Sequence, residues 1–269
     1  MPAQEWTRQD FAGLNMNEPE QAPLLSGEAS QAIAPERALR LLAEGDIELH
    51  GLLPWSSNYT FFVTVSDGEL KAAAVYKPCR GERPLWDFPE GTLAMREVAA
   101  YVVSEALGWG LVPPTVLREG PHGDGMVQLY MDVDHEQHYF TFGERHVEEA
   151  KRIAIFDALI NNADRKAGHV LEDSRGQVWA IDHGVCFSPE SKLRSVIWDF
   201  AGQSIPADIL DDLRALRDQM DPHAKLVKAL ERLLDSEEIE ALHRRLESLI
   251  KRRRFPQPGP DRHYPWPPI

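Results

Sequence analysis

The chain has 269 residues, of which 43 are acidic and 29 are Lys or Arg, so its formal net charge is −14. Such an acidic chain repels nucleic acid and anionic membrane surfaces, which argues against nucleic-acid binding and against stable membrane anchoring. The two cysteines lie far apart, and neither a signal-peptide pattern nor an apolar run of about 18 residues is present, so we expect a cytoplasmic protein.

The N-terminal part of the sequence predicts an arm, a short helix and the start of a sheet. Residues 1–34 are polar and lack periodicity, which is typical of a mobile arm. A short helix is predicted from Pro35, at its first position, to Gly45. Three apolar runs then predict strands, over 47–53, 59–66 and 70–77. The dipeptide Asp67-Gly68 predicts a hairpin turn between the last two of them.

A longer helix and two further strands are expected next. The helix runs from Thr92, as its N-cap, to Leu107, with an apolar stripe along one face. The strands are predicted over 111–117 and 126–131, on either side of a Gly-rich turn. The segment 134–138 contains Asp, Glu and His, but its spacing matches no established metal site, so we expect a solvated loop there.

The segment 153–187 has the pattern of a helix, a polar loop and a β-hairpin. Apolar residues at helical spacing predict a buried helix that ends near Asn161-Asn162. Two apolar runs separated by a turn composition predict the hairpin, over 169–171 and 177–181. Asp164 precedes the hairpin and Asp182 follows it, so the two carboxylates can converge on one site.

The rest of the chain is predicted to be helical until a proline-rich tail. Pro206, Pro222 and Ser236 each mark the start of a helix. Arg244-Arg245 and residues 251–254 form a basic cluster near an expected helix C-terminus. The cluster could meet a phosphorylated or acidic partner, but we favour the simpler interpretation that positive charge stabilises a helix C-terminus. The tail is expected to be extended.

The spacing of the two carboxylates is the spacing of a phosphoryl-transfer site. A kinase catalytic loop has an Asp that orients the acceptor, a metal ligand five positions later and, after a short hairpin, an Asp-x-Gly whose Asp holds metal. Here these positions are Asp164, His169 and Asp182, with Gly184 completing the last motif.

Two segments resemble those of a known family. Residues 162–165, NADR, and 180–187, AIDHGVCF, are similar to the Asp-Arg loop and the IDNGLAF segment of phosphatidylinositol 3/4-kinases, the type II 4-kinases especially. The chain thus resembles the atypical kinases, including actinobacterial proteins described as phosphatidylinositol 3/4-kinase-like; HipA-like kinases are a weaker likeness. Two positions depart from the pattern, since His169 stands in place of Asn and Lys166 in place of His.

The resemblance implies an α+β, two-lobed protein-kinase-like fold that binds ATP with Mg or Mn between its lobes. A β-rich N-lobe would span 35–133 and a mainly helical C-lobe would span 134–255, leaving 256–269 as the proline-rich tail.

The resemblance also implies which residues hold the nucleotide. Lys77, at the end of the third strand, would bind phosphates, and Glu97 would position Lys77, with Glu105 as the competing acid. An edge-strand Lys that discourages aggregation is the other interpretation of Lys77. Further nucleotide contacts are expected from the loop after the first strand and from the hinge: Ser56, Ser57, Asn58, Tyr130 and Met131.

Four residues are expected to carry the chemistry. Asp164 would orient the acceptor hydroxyl, with Arg165 supporting either the loop or the transferred charge. Asp182 would hold the metal. His169 is either a second metal ligand or a hydrogen-bonding histidine, and imidazole suits manganese better than magnesium.

The function these features predict is phosphoryl transfer from ATP. Because of the negative charge, the acceptor is expected to be a protein or a soluble small molecule rather than a lipid. Two alternatives stay open: a nucleotide-binding pseudokinase, which His169 favours, and an enzyme that transfers AMP on the same scaffold.

Overall fold

A computed structural model of the chain describes residues 33–53, 58–260 and 262–269. These residues form two compact units. Unit 1 takes its described residues from 1–95 and 114–130, and unit 2 takes them from 96–113 and 131–269. Residues 1–32 of the predicted arm, and Ser56 and Ser57 of the predicted phosphate loop, lie outside the described residues. The predicted lobe boundaries stay a prediction.

Unit 1 is an antiparallel sheet with one short helix. Helix α1 precedes five strands in the order β1-β2-β3-β5-β4. Their bounds are α1 (Pro35–Glu44), β1 (Asp46–Leu52), β2 (Phe61–Ser66), β3 (Lys71–Pro78), β4 (Thr115–Gly120) and β5 (Gly123–Leu129). Helix α1 buries Leu41 and Leu42 in the core of the sheet, and the Arg118 guanidinium donates to the carbonyls of Leu42 and Gly45 at its C-terminal end.

The first three predicted strands are confirmed within two residues, whereas the next two are shifted. Strand β4 begins at Thr115, after Pro113 and Pro114, because proline has no N–H to donate to a ladder. It pairs with β5 across a tight turn in which Gly120 faces Gly123, and Gly123 has a φ of 94°. A positive φ is accessible to glycine without strain, so the turn can end at Gly123 and β5 begins there rather than at the predicted residue 126.

The register of β3 on β5 sets the position of Lys77. Lys77 faces Met126 and Pro78 faces Gly125, so the strand continues one residue past its predicted end. A Cβ on Gly125 would lie 2.6 Å from the Pro78 Cα and 2.8 Å from the Tyr76 ring. The two strands therefore approach so closely that only glycine fits at position 125.

Helix α2 (Leu93–Ala106) begins in unit 1 and continues into unit 2. The predicted bounds, Thr92 to Leu107, are close to the observed ones. The N-terminal amides of the helix are capped from a distance, because Leu93 and Ala94 donate to the Glu82 carboxylate at 3.1 and 2.8 Å. The Thr92 hydroxyl donates to the Pro89 carbonyl.

Unit 2 combines a small sheet with helices. Its remaining elements are β6 (Val133–His138), α3 (Val147–Ile160), β7 (Val170–Asp173), β8 (Val178–Ala180), α4 (Ala207–Arg217), α5 (Lys225–Leu230) and α6 (Ser236–Arg252). Strands β6, β7 and β8 form an antiparallel sheet in that order, and α3 and α4 both pack against α6. The predicted helix end at Asn161-Asn162 and the predicted hairpin are confirmed.

The predicted solvated loop at 134–138 is wrong, because these residues belong to β6. Strand β6 lies at the edge of its sheet and pairs only with β7 among the described strands. Its side chains are mostly polar and at least partly exposed, so it lacks the alternation of apolar and polar residues that marks a strand in sequence. Charged side chains on an edge strand also discourage pairing with another chain.

None of the helices within the described ranges is long and apolar enough to cross a membrane. The class of the fold is α+β, as predicted.

The close approach at Gly125 yields a test of the β3–β5 register. We expect Gly125→Ala to lower the free energy of unfolding by about 1–3 kcal/mol, since an added methyl would displace backbone rather than a flexible side chain. Urea unfolding followed by circular dichroism measures this. Gly259→Ala is the matched control, because nothing lies within 4 Å of the position that a Cβ would take there. Equal stability of the two variants would contradict the register.

Candidate functional site

The loop that contains Asp164 is held in place by two asparagines. Helix α3 ends at Asn161, which has a left-handed φ of 57° and whose side chain accepts from the Lys192 amide. The Asn162 side chain donates to the Asp157 carboxylate and accepts from the Asp164 amide at 2.9 Å. Asparagine tolerates the left-handed region and bonds nearby backbone, which explains its use at this turn. We refer to residues 163–168 as the Asp-Arg loop.

Arg165 is completely buried and connects the elements around this loop. Its guanidinium forms an ion pair with Asp157 of α3, with 2.9 Å between Nε and Oδ2. It also donates to the carbonyls of His169 and Ile181, at 3.1 and 2.9 Å, and lies 2.7 Å from the His183 Nε2. These bonds tie α3 to the residues on both sides of the β7–β8 hairpin. Of its two predicted roles, burial favours support of the loop over contact with the transferred charge.

Helix α2 fixes the segment that follows Asp182. The His183 amide donates to the buried Glu97 carboxylate at 2.8 Å, and the Arg96 guanidinium donates to the Cys186 carbonyl at 2.7 Å. Arg96 also forms a buried ion pair with Glu238 of α6, at 2.5 Å. Glu97 therefore faces inward, as expected of it, while its pairing with Lys77 of unit 1 stays a prediction.

The two carboxylates predicted to converge influence one another electrostatically. Burial raises the pKa of Asp164, the Lys166 ammonium at 3.3 Å opposes that shift, and the negative charge of Asp182 adds to it. Asp182 has a φ of 61°, which is uncommon for a residue with a Cβ and tends to occur at functional sites. Both acids remain accessible, since their side chains are 35% and 48% exposed.

His169 and Asp182 are the residues that could hold a metal. The His169 Nε2 lies 3.3 Å from the Asp182 Oδ2. Two ligands at adjacent octahedral positions, each about 2.1 Å from a metal, would lie about 3 Å apart, so the pair fits a shared ion. No cluster of three such ligands occurs within the described ranges.

The C-terminal tail also contacts this region, which the sequence did not suggest. The Ala167 amide donates to the Pro268 carbonyl at 2.9 Å, and the Ser195 amide donates to the His263 carbonyl at 3.0 Å. The tail is therefore part of the wall around the Asp-Arg loop.

Of the residues predicted to contact the nucleotide, Lys77, Asn58 and Tyr130 belong to unit 1. Lys77 lies on β3, the Tyr130 amide donates to the Ala73 carbonyl of that strand, and the Asn58 side chain accepts from the Arg83 amide at 2.9 Å. Met131 begins the long segment of unit 2.

Comparison with solved structures identifies the fold. The chain is similar to the Golgi casein kinase, with a TM-score of 0.55 and 16% identity over 81% of this chain and 74% of that one. The same kinase with Mn and ADP bound gives a TM-score of 0.50 at 15% identity, over 81% and 75% of the two chains. No family model matches the chain. The protein has a protein-kinase-like α+β fold, which confirms the predicted fold class.

Comparison of sequences then identifies the family. Protein Rv2133c of Mycobacterium tuberculosis is 40% identical over 262 residues, which cover 84% of this chain and 94% of that protein. The chain belongs to the family of Protein Rv2133c. Phosphatidylinositol 4-kinase gamma 2 of Arabidopsis thaliana is 28% identical over 167 residues, and the match spans only 30% of its length. These likenesses support a kinase-like family, while the narrower phosphatidylinositol 3/4-kinase-like assignment stays a prediction.

Sequence reasoning missed Asp157, His183 and Arg96. For Asp157 a signal was present, because it is the single acid in the apolar run IAIFDALI from Ile153 to Ile160. A buried helix tolerates an acid when a cationic partner compensates it.

The ion pair of Arg165 with Asp157 predicts a large stability effect. We expect Asp157→Asn to lower the free energy of unfolding by at least about 3 kcal/mol, because it leaves a buried guanidinium without its counter-charge. Chemical unfolding of the full chain measures this. Asp164→Asn is the control and should cost no stability at neutral pH, because burial already disfavours the charged carboxylate there, as its raised pKa indicates. Similar losses in both variants would contradict the assignment of Asp157 as the structural acid.

Proposed function

We propose that the chain is an ATP-dependent phosphotransferase of the atypical kinase type, acting on a protein or a soluble small molecule rather than a lipid. The observation that carries the proposal is the placement of Asp164 and Asp182 on two segments joined by the buried guanidinium of Arg165. The net charge of −14 disfavours an anionic membrane as the substrate surface.

Asp164 would orient the acceptor hydroxyl and accept its proton as the acceptor oxygen bonds to the γ-phosphorus of ATP and the bond from that phosphorus to the ADP oxygen breaks, which releases ADP. Its burial supports this role, because a raised pKa makes a carboxylate a better proton acceptor. The neighbouring Lys166 ammonium, 3.3 Å away, opposes this rise in the pKa of Asp164. Arg165 would act as a positioning residue that holds the loop.

Asp182 and His169 would hold Mg or Mn, and the other ligands would be phosphate oxygens. Bound there, a divalent cation supplies charge neutralisation for the phosphates. A mixed oxygen and nitrogen donor pair favours manganese more than a pair of oxygen donors would. The Golgi casein kinase with Mn and ADP bound is a fold relative that pairs a nucleotide with this metal.

The remaining predicted residues would position the nucleotide. Lys77 would bind phosphate oxygens as a point charge, with Glu97 holding it in place. Glu97 would thereby have a second role, in addition to accepting a hydrogen bond from the His183 amide. Nucleotide contacts would also come from the loop before β2 and from the hinge: Ser56, Ser57, Asn58, Tyr130 and Met131.

A second candidate is a pseudokinase that binds nucleotide and acts by interaction. It is favoured by His169, which stands where related kinases have Asn. An AMP-transferring enzyme on the same scaffold would differ in which phosphate is attacked.

The proposal is tested by label transfer from γ-labelled ATP, with magnesium or manganese, to the protein and to added acceptors. We expect Asp164→Asn and Asp182→Asn each to reduce transfer on the order of 100-fold or more, through loss of proton acceptance and of metal binding respectively. Asp134→Asn, an exposed acid on β6, is the matched control and should retain full activity.

Each failure has a distinct meaning. Nucleotide-dependent thermal stabilisation without transfer would favour the pseudokinase. Transfer of label from α-labelled but not γ-labelled ATP would favour AMP transfer. Label transfer that is unchanged in both Asp164→Asn and Asp182→Asn would mean that these two residues do not form the catalytic site.

The metal pair predicts a change in metal preference. We expect His169→Asn to raise magnesium-supported activity relative to manganese-supported activity by about tenfold, because an amide oxygen replaces an imidazole nitrogen. Initial rates at saturating concentrations of each metal measure the ratio. His243→Asn, at an exposed position on α6, is the control. An unchanged ratio would mean that His169 is a hydrogen-bonding histidine and not a ligand.

A further inference from the structure

A groove of about 610 Å³ lies in unit 2. Aromatic rings dominate its lining, together with one carboxylate: Tyr139, Phe140, Trp198, Phe200, Tyr264 and Asp199. Two of these rings are half-exposed, Phe140 at 50% and Tyr264 at 48%, so the groove opens to solvent. Its volume falls in the range of ligand sites and exceeds that of a single side chain.

Backbone hydrogen bonds place this groove beside the Asp-Arg loop. Two residues of its lining take part: the Tyr139 amide donates to the Ala167 carbonyl at 3.4 Å, and the Val196 amide donates to the Arg165 carbonyl at 3.1 Å. The groove is therefore anchored on both sides of Lys166, two residues from Asp164. Arg165, one of the two residues that accept these bonds, directly follows Asp164, the residue proposed to orient the acceptor.

The chemistry of the groove favours a cationic occupant. Aromatic faces are electron-rich and attract ammonium and guanidinium groups. Lys151 already illustrates this, because its Nζ lies 6.0 Å from the centroid of Phe200. Asp199 is exposed and accepts from the Tyr139 hydroxyl at 2.5 Å. Burial, and then this bond to Asp199, raise the pKa of Tyr139, so the phenol stays neutral.

We propose that this groove binds the acceptor, a polypeptide, through a Lys or Arg side chain near the accepting hydroxyl. The apolar stem of such a side chain would pack on the aromatic rings while its charged end meets Asp199. The net charge of −14 would draw a basic segment toward the chain before docking. The transfer step in this inference rests on the proposed phosphotransferase function, whereas the binding step does not.

The test uses the full chain and three fluorescent peptides that carry one serine and differ only in its flanking residues, which are Lys, norleucine or Glu. Fluorescence anisotropy without ATP measures their binding. We expect the Lys peptide to bind at least tenfold more tightly than the norleucine peptide, and the Glu peptide to bind weakest.

Two variants locate the binding. Asp199→Lys should weaken the Lys peptide at least tenfold, and Phe140→Ala, at a half-exposed position where folding is retained, should weaken it severalfold. Glu240→Lys changes the net charge equally at an exposed position on α6 outside the groove, and should change binding less than twofold.

Several outcomes would overturn the inference. Equal binding of the three peptides would mean that the groove does not select a cationic side chain. Equal losses of affinity in Asp199→Lys and Glu240→Lys would mean that binding depends on the net charge of the chain and not on the groove. Competition by free lysine amide as strong as by the peptide would exclude a polypeptide as the preferred ligand. Selective binding with no label transfer in any condition would contradict the phosphotransferase proposal alone and leave the groove assigned.

Discussion

The buried guanidinium of Arg165 is the constraint on which the rest of the candidate site depends. Removing such a charge from water is costly unless a counter-charge and hydrogen-bond acceptors surround it. Asp157 supplies the counter-charge, and the carbonyls of His169 and Ile181 supply acceptors. Because these partners come from α3 and from both ends of the β7–β8 hairpin, the requirement to satisfy one side chain fixes all three segments. The two acids proposed for chemistry are the sequence neighbours of this network, since Asp164 directly precedes Arg165 and Asp182 directly follows Ile181.

Burial distinguishes Asp157 from the two acids proposed for chemistry. Asp157 is fully buried and paired, so its charge is used by the fold. Asp164 and Asp182 are partly exposed, and their carboxylates lie 3.3 Å from the Lys166 Nζ and the His169 Nε2 respectively. Helix α2 adds a second support, since Glu97 and Arg96 hold the residues that follow Asp182. Rigid surroundings with accessible carboxylates are what a phosphoryl-transfer site needs, because such catalysis consists mainly of positioning and charge stabilisation.

Local signals in the sequence predicted much of this architecture. Pro35 and Gly45 mark the ends of α1, and Asn161 ends α3, because each of these residues has a preferred position at a helix end. The spacing of Asp164, His169 and Asp182 was also informative. A short hairpin between two loops leaves those loops little freedom in how they approach one another.

The features that were missed depend on partners distant in sequence. Strand β6 is a strand only because β7 lies beside it, and the α2 amides are capped by Glu82 rather than by a neighbouring residue. The hydrogen bond from the Ala167 amide to the Pro268 carbonyl joins the tail to the Asp-Arg loop. A proline-rich composition predicts that the tail is extended but not which residues it contacts. Pairing partners of this kind follow from the tertiary fold, not from periodicity or turn composition.

The most direct test of the phosphotransferase account is a crystal structure of the full chain with manganese and a non-hydrolysable ATP analogue, using the anomalous signal of manganese to locate the metal. We expect a manganese peak within coordination distance of an Asp182 carboxylate oxygen and the His169 Nε2, with phosphate oxygens as the other ligands. A structure in which nucleotide is bound but its manganese lies away from Asp182 would contradict a phosphotransferase site here. A structure in which manganese occupies only another site and no nucleotide is bound would contradict it as well.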